Sequence, residues 1–133
     1  MADKLSDQAH VDKVNALFST IAMRYDLVND IQSAGLHRLW KRKMARLVAL
    51  GESEQALDVC CGTGDLIVHL AKGGGRVGGV DMNGAMLNVA RRRLAKRNIA
   101  QSRLYQADAL QLPFGDGQFD VVTIAYGLSL IHI

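Results

Sequence analysis

Between Asp58 and Asp65 the chain reads Asp-Val-Cys-Cys-Gly-Thr-Gly-Asp, and a further carboxylate follows at Asp81. Carboxylates and glycines in this order can grip a sugar while a backbone passes close to a nucleotide-type ligand. A short apolar run, Ala56 to Cys60, leads into the segment, and an amphipathic helical pattern, Leu66 to Lys72, leads out. The result is a strand, a glycine-bearing turn and a helix start. Gly62 and Asp81 stand 19 positions apart, close to the roughly 20 at which a ribose-binding carboxylate closes the next strand.

Dinucleotides and S-adenosylmethionine are the two ligand classes for such a site. A dinucleotide fingerprint needs a third glycine three positions after the second, and Ile67 stands there. Asp58 and Asp65 bracket the turn with negative charge, which is unfavourable beside a diphosphate and favourable beside an ammonium group. The residues therefore favour S-adenosylmethionine, with a nicotinamide-dependent oxidoreductase as the rival enzyme class.

Roles follow from this choice. Gly62 and Gly64 let the backbone approach the ligand, and Thr63 can offer a hydroxyl or an amide. Asp81 can accept from both ribose hydroxyls, with Met82 beside it as a further cofactor-binding candidate. Asp108 can accept from the adenine amino group while the Ala109 amide donates to the ring. Simpler roles stand next to these: Asp58 as a turn cap, Asp65 as an acid favoured by the helix dipole, Asp108 as a solvated loop residue.

The elements that must position these groups are legible from periodicity. Apolar residues recur at Val11, Val14, Leu17, Phe18 and Ile21, a helical spacing over Ala9 to Met23, preceded by a polar, frayed stretch over residues 1 to 8. A second helical pattern runs from Leu36 to Leu50, with Gly51 as its C-terminal cap. Strand patterns over Ala56–Cys60, Arg76–Val80, Gln101–Gln106 and Phe119–Tyr126 alternate with helical patterns over Asp65–Lys72 and Gly84–Arg97, the latter capped by Asn83. Alternation of this kind predicts an α/β, Rossmann-like, doubly wound parallel sheet. The near-continuous apolar run Val121 to Ala125 predicts a strand buried on both faces. Residues 1–50 form an N-terminal helical segment, and 51–133 the ligand-binding α/β unit.

With 133 residues, 49% hydrophobic and 22% charged, the chain suits one ordinary globular domain. It contains neither the roughly 18 uninterrupted apolar residues of a membrane span nor a signal-peptide core, so a cytoplasmic location is expected. Cys60 and Cys61 are adjacent, with no Cys or His at zinc-ligand spacing, so they read as small residues filling a tight turn and no metal site is expected.

The formal charge of +3 is concentrated in two groups, Arg38, Lys41, Arg42, Lys43, Arg46 and Arg91, Arg92, Arg93, Lys96, Arg97. Each suits either a solvated helix face or a surface drawn to anionic lipid headgroups. Nucleic acid is disfavoured, because aromatics make up only 5% of the chain and none sit among these residues to stack bases.

At these motifs the chain resembles the class I S-adenosylmethionine-dependent methyltransferases. More narrowly it resembles the ubiquinone/menaquinone biosynthesis C-methyltransferase family. That likeness rests on Phe18-x-x-Ile21-Ala22-x-x-Tyr25-Asp26-x-x-Asn29, Ser33-x-Gly35-x-His37-x-x-Trp40, Leu110-x-Leu112-Pro113-Phe114, Phe119-Asp120 and Tyr126-Gly127-Leu128. It implies methyl transfer to a ring carbon of a prenylated quinol. It also implies cofactor contacts from Thr63, Asp81, Asp108 and Ala109, and a substrate-side lid carrying Tyr25, Asp26, Asn29, His37 and Trp40. His37 and Tyr25 are the candidate bases for loss of a phenolic proton. Trp40 on a helix also suits a core position.

Two departures from the family pattern stand out. Cys60 occupies a turn position where glycine is usual. The sequence after Leu128 also leaves the pattern and ends, so a C-terminally truncated fragment is expected. By resemblance the sheet order is 3-2-1-4-5-7-6, of which four strands are encoded, making the fourth an edge. A prenylated substrate implies a peripheral contact at the inner face of a membrane. A non-catalytic fragment that binds the cofactor is the third reading.

Overall fold

The computed structural model describes residues 2–21, 36–99 and 102–125. Among them run helix α1 (Ala2–Ile21), helix α2 (Leu36–Val48), strand β1 (Gln55–Val59), helix α3 (Asp65–Ala71), strand β2 (Arg76–Asp81), helix α4 (Gly84–Lys96), and strands β3 (Arg103–Gln106) and β4 (Val121–Ile124). The strands are all parallel, in the order β3-β2-β1-β4. That is the α/β arrangement expected from the alternating pattern, and β4 lies at the edge.

β1 lies between β2 and β4. Asp58 pairs with Gly79 on one side and Thr123 on the other, and Val59 pairs with Val80 and Ile124. Both faces of the sheet are covered. On one, α3 and α4 bury Ile67, Leu70, Leu87 and Leu94 against Ala56 and Val77. Over the other, Phe114 stacks edge-on between Tyr105 and Phe119, each ring pair 5.0 Å apart, above Leu57, Val59 and Val80.

Gly79 explains how closely the helix layer approaches. A Cβ there would stand 2.6 Å from Ile67 Cδ1, 2.8 Å from Leu104 Cδ2 and 2.9 Å from Cys61 Sγ. Only glycine leaves room for Ile67, which is wholly buried, directly beneath the turn. α2 packs on α3 through Met44, Ala45 and Val48.

Three expectations change. α1 begins at Ala2 instead of Ala9. Residues without an apolar period still propagate a helix when their propensities are good, here aided by the Gln8–Asp12 side-chain hydrogen bond of 2.9 Å. α2 ends at Val48, and the left-handed residue that stops it is Ala49, at φ 46°, not Gly51. The Gly51 amide instead donates to Glu54 Oε2 at 2.8 Å, closing the turn into β1. In β4 the apolar run is not buried on both faces, since Val122 is 59% exposed.

Candidate functional site

The turn between β1 and α3 is built from left-handed residues: Cys60 (φ 56°), Gly62 (φ 55°) and Gly64 (φ 78°). Cys60 therefore carries a side chain in a conformation that costs an L-residue about 1–2 kcal/mol, the local consequence of its departure from glycine. Gly64 is doubly required, since a Cβ there would also press on the Ala90 methyl at 3.1 Å. The Cys61 amide donates to the Val80 carbonyl at 2.9 Å and stitches the turn to β2.

That stitching brings Asp81 under the turn. The Gly62 amide donates to its Oδ2 at 2.8 Å and the Asn83 amide to its Oδ1 at 2.9 Å. Each carboxylate oxygen has about two acceptor sites, so both keep capacity for a further donor. Burial pushes the Asp81 pKa up, while the amides of Asn83, Gly62 and Met82 pull it back.

Asp58, Asp81 and Asp108 converge around Cys60. Burial first, then the charges of these three carboxylates, pushes the Cys60 thiol up to about 11, and Cys61 is raised as well. Neither sulfur is a nucleophile at neutral pH. The field in this corner is negative, suited to a sulfonium or an ammonium and hostile to a diphosphate.

The other candidates differ in detail. Asp58 does not cap a turn: it is buried within β1, where Thr123 of β4 donates its hydroxyl to Oδ1 at 2.8 Å. Burial drives its pKa up to about 7, against the Thr123 bond and the Lys41 charge. The Thr63 hydroxyl accepts from Arg93 Nη1 at 3.2 Å and faces α4.

Asp108 is exposed, and its Oδ1 accepts from the Leu110 amide at 2.9 Å, an Asx-type turn. Ala109 packs against the Leu57–Val59–Val80 cluster. The Met82 carbonyl accepts from Gln106 Nε2 at 3.1 Å. His37 stands in the first turn of α2, its side chain outside what is described, and Tyr25, Asp26 and Asn29 lie outside the described residues. Trp40 is exposed and is not a core residue.

The long-range contacts of three residues escaped sequence reasoning. Lys41 is not on a solvated face: it is 7% exposed and pairs with Asp65 Oδ2 at 3.2 Å. Arg93 reaches Thr63 and lies 3.9 Å from Asp65 Oδ1. Burial raises the Asp65 pKa, but Lys41, Arg93 and His69 outweigh it and hold the carboxyl below its ordinary value. Asn83, the N-cap of α4 through the Met86 amide (3.0 Å), also donates to the Asn15 carbonyl and side-chain oxygen at 2.8 and 2.7 Å, docking α1 beside Asp81. A signal for Lys41 existed: it shares the helical register of Met44, Ala45 and Val48.

A parallel β3-β2-β1-β4 sheet, a glycine turn after β1 and a carboxylate ending β2 define a Rossmann-like methyltransferase fold. The same fold occurs in a geranyl diphosphate methyltransferase solved in complex with S-adenosyl-L-methionine (TM-score 0.59, 26% identity, covering 68% of this chain and 39% of that one). A profile of the ubiE/COQ5 methyltransferase family matches residues 5–132, and the chain belongs to that family. It is 47% identical over 120 residues to the ubiquinone/menaquinone biosynthesis C-methyltransferase UbiE of Azotobacter vinelandii, covering 87% of this chain and 47% of that protein. It is 37% identical over 131 residues to the demethylmenaquinone methyltransferase of Staphylococcus aureus strain JH9, covering 96% and 52%. The chain thus spans about half the length of these relatives.

Proposed function

We propose that this protein binds S-adenosyl-L-methionine at the β1–α3 turn and serves C-methylation of a prenylated quinol ring, of the naphthoquinol or benzoquinol type. The observation that carries the reading is the Asp81 carboxylate, fixed by the Gly62 and Asn83 amides with acceptor capacity left for a ribose diol. The substrate class rests on what the relatives are named for, ubiquinone/menaquinone biosynthesis and demethylmenaquinone methylation.

The ligand supplies an electrophilic methyl group on a sulfonium. The chain's own residues bind and orient: Asp81 takes the sugar, Gly62 and Gly64 allow close backbone approach, and the negative corner made by Asp81 and Asp108 favours the cationic end, with Asp58 buried behind it. Asp108 and Ala109 serve the adenine. Holding reactants in line accounts for most of the rate. His37 stands one turn before Lys41 on α2, the helix that reaches the turn, and with Tyr25 is the proposed acceptor of a phenolic proton.

A peripheral membrane contact suits the lipid-like substrate, because α2 exposes Leu39, Trp40 and Leu47 beside Lys43. No helix among the described residues is long and apolar enough to cross a membrane. Charge reversal at Lys43 is expected to weaken liposome binding.

Titration calorimetry with S-adenosyl-L-methionine, S-adenosylhomocysteine and NADH tests the cofactor reading. The first two are expected to bind, NADH not to bind, and Asp81→Ala to weaken binding by tenfold or more. NADH binding, or an Asp81→Ala variant that is folded and binds as its parent does, would overturn it.

A further inference from the structure

We propose that the far end of the α2–α3 pair holds an anion site, separate from the Asp81 corner, that takes a phosphate-bearing ligand. A cavity of about 650 Å³ opens there, within the size range of small-molecule sites. Arg42 and Arg46 of α2 and Lys72, the C-cap of α3, line it together with His69. Ala45 and the buried Leu50 and Leu70 back it, which holds these cations on a rigid base. α3 is seven residues long, so Lys72 lies about 10 Å along the helix from the end that carries Asp65 and the turn.

Two observations argue that these cations serve a ligand. Among the described residues, no carboxylate lines the cavity, and Arg42, Arg46 and Lys72 make no ion pair. The two arginines are one helical turn apart, where like charges repel.

Helix dipoles are the competing explanation, since α2 and α3 both end here and cations suit helix C-termini. Each terminus carries only about half a negative charge. Two of them offset roughly one of the three cations, and a net of about +2 remains. Guanidinium forks match phosphate oxygens with paired hydrogen bonds.

His69 reports on this field. Its Nε2 lies 3.9 Å from Asp65 Oδ1. Burial holds its pKa below the ordinary value, Asp65 opposes that, and Lys72, Arg42 and Lys41 add to it. An anion in the cavity favours the imidazolium, so binding is expected to raise the His69 pKa.

The test uses two probes, inorganic pyrophosphate and vesicles of phosphatidylglycerol with phosphatidylcholine vesicles as control. Binding is measured for the parent chain, for Arg42→Gln/Arg46→Gln, and for Arg91→Gln/Arg92→Gln, which removes equal charge from α4. The first double variant is expected to lose at least tenfold in affinity and the second to stay within twofold. Pyrophosphate binding with an upward His69 shift by NMR identifies a free phosphate ligand. Vesicle binding alone, with the same dependence on Arg42 and Arg46, identifies a lipid headgroup. Failure of both probes to bind, equal loss in both double variants, or pyrophosphate binding that leaves the His69 resonance unmoved overturns the proposal. The parent-chain NMR readout keeps the test decisive even where a variant misfolds. Cofactor binding at Asp81 is scored separately, so either reading can fail without the other.

Discussion

Lys41 and Asp65 meet at 3.2 Å across the α2–α3 interface, with the lysine side chain 9% and the carboxylate 18% exposed. This pair fixes the N-terminal helical segment to the first turn of the helix that follows the glycine loop. A buried charge without its partner is costly, whereas an apolar or neutral replacement of both is cheap. Lys41→Met alone is expected to destabilise the chain by about 2–4 kcal/mol. Adding Asp65→Asn should restore more than half of that. Urea unfolding of the two single variants and the double gives the coupling; additive losses would show that the pair contributes nothing of its own.

Asp58 makes the opposite kind of contribution. Its pKa rises from 3.8 to about 7 on folding, so the folded state holds this proton more tightly than the unfolded one. The stability it confers is full below the unfolded value and is lost as pH rises through the folded value. Over that window the loss is about 4 kcal/mol, at 1.36 kcal/mol per unit. Asp58→Asn keeps an acceptor for Thr123 and cannot ionise. The parent-minus-variant stability difference is expected to fall between about pH 4 and 7 and to be flat above. A difference independent of pH in urea titrations would mean that Asp58 is not the titrating group.

Much of the fold was legible because its signals are local. The alternating strand and helix periods located β1, α3, β2 and α4 to within a residue or two, and Asn83 was readable as a cap from its type and position. The place of Asp81 at the end of β2, under the glycine turn, was readable from spacing, since strand length and turn chemistry set that distance. What escaped depended on contacts between distant segments. Nothing near position 93 in sequence says that Arg93 reaches Thr63, 30 residues away. Likewise Asn15 meets Asn83 across 68 residues. Basic runs look solvated in sequence because long side chains can point either way from a helix, and only packing decides. Asp58 reads as a site acid, yet its partner Thr123 lies on a strand 65 residues later.

Ala49 offers a stabilising change. At φ 46° it ends α2 in the left-handed region, where an L-residue with a Cβ is strained by about 1–2 kcal/mol. Its amide still closes the last turn onto the Ala45 carbonyl at 3.0 Å, as a C-terminal cap residue does. Glycine relieves the strain but adds freedom to the unfolded chain, so the net gain for Ala49→Gly is about 0.5–1 kcal/mol. A midpoint shift upward in urea with unchanged slope is the expected result.

Gly78 and Gly79 are neighbours in β2, and their substitutions should separate sharply because successive residues of a strand face opposite sides. At Gly78 an added Cβ meets nothing nearer than Leu57 Cδ1 at 3.4 Å, ordinary van der Waals contact. Gly78→Ala is therefore expected to change stability by less than about 1 kcal/mol. At Gly79 the added methyl falls within 2.9 Å of Ile67, Leu104 and Cys61 side-chain atoms, and Ile67 is fully enclosed and has nowhere to go. Overpacking of that kind costs about 1–3 kcal/mol. Because Ile67 and Cys61 flank the glycine turn, displacement there also moves the Gly62 amide relative to Asp81. Gly79→Ala should thus weaken S-adenosyl-L-methionine binding along with stability, while Gly78→Ala leaves binding alone. Trimming the obstructing methyl with Ile67→Val in the Gly79→Ala background should recover part of both losses. If the two alanine variants unfold and bind alike, the close approach of α3 to β2 is not what holds the turn in shape.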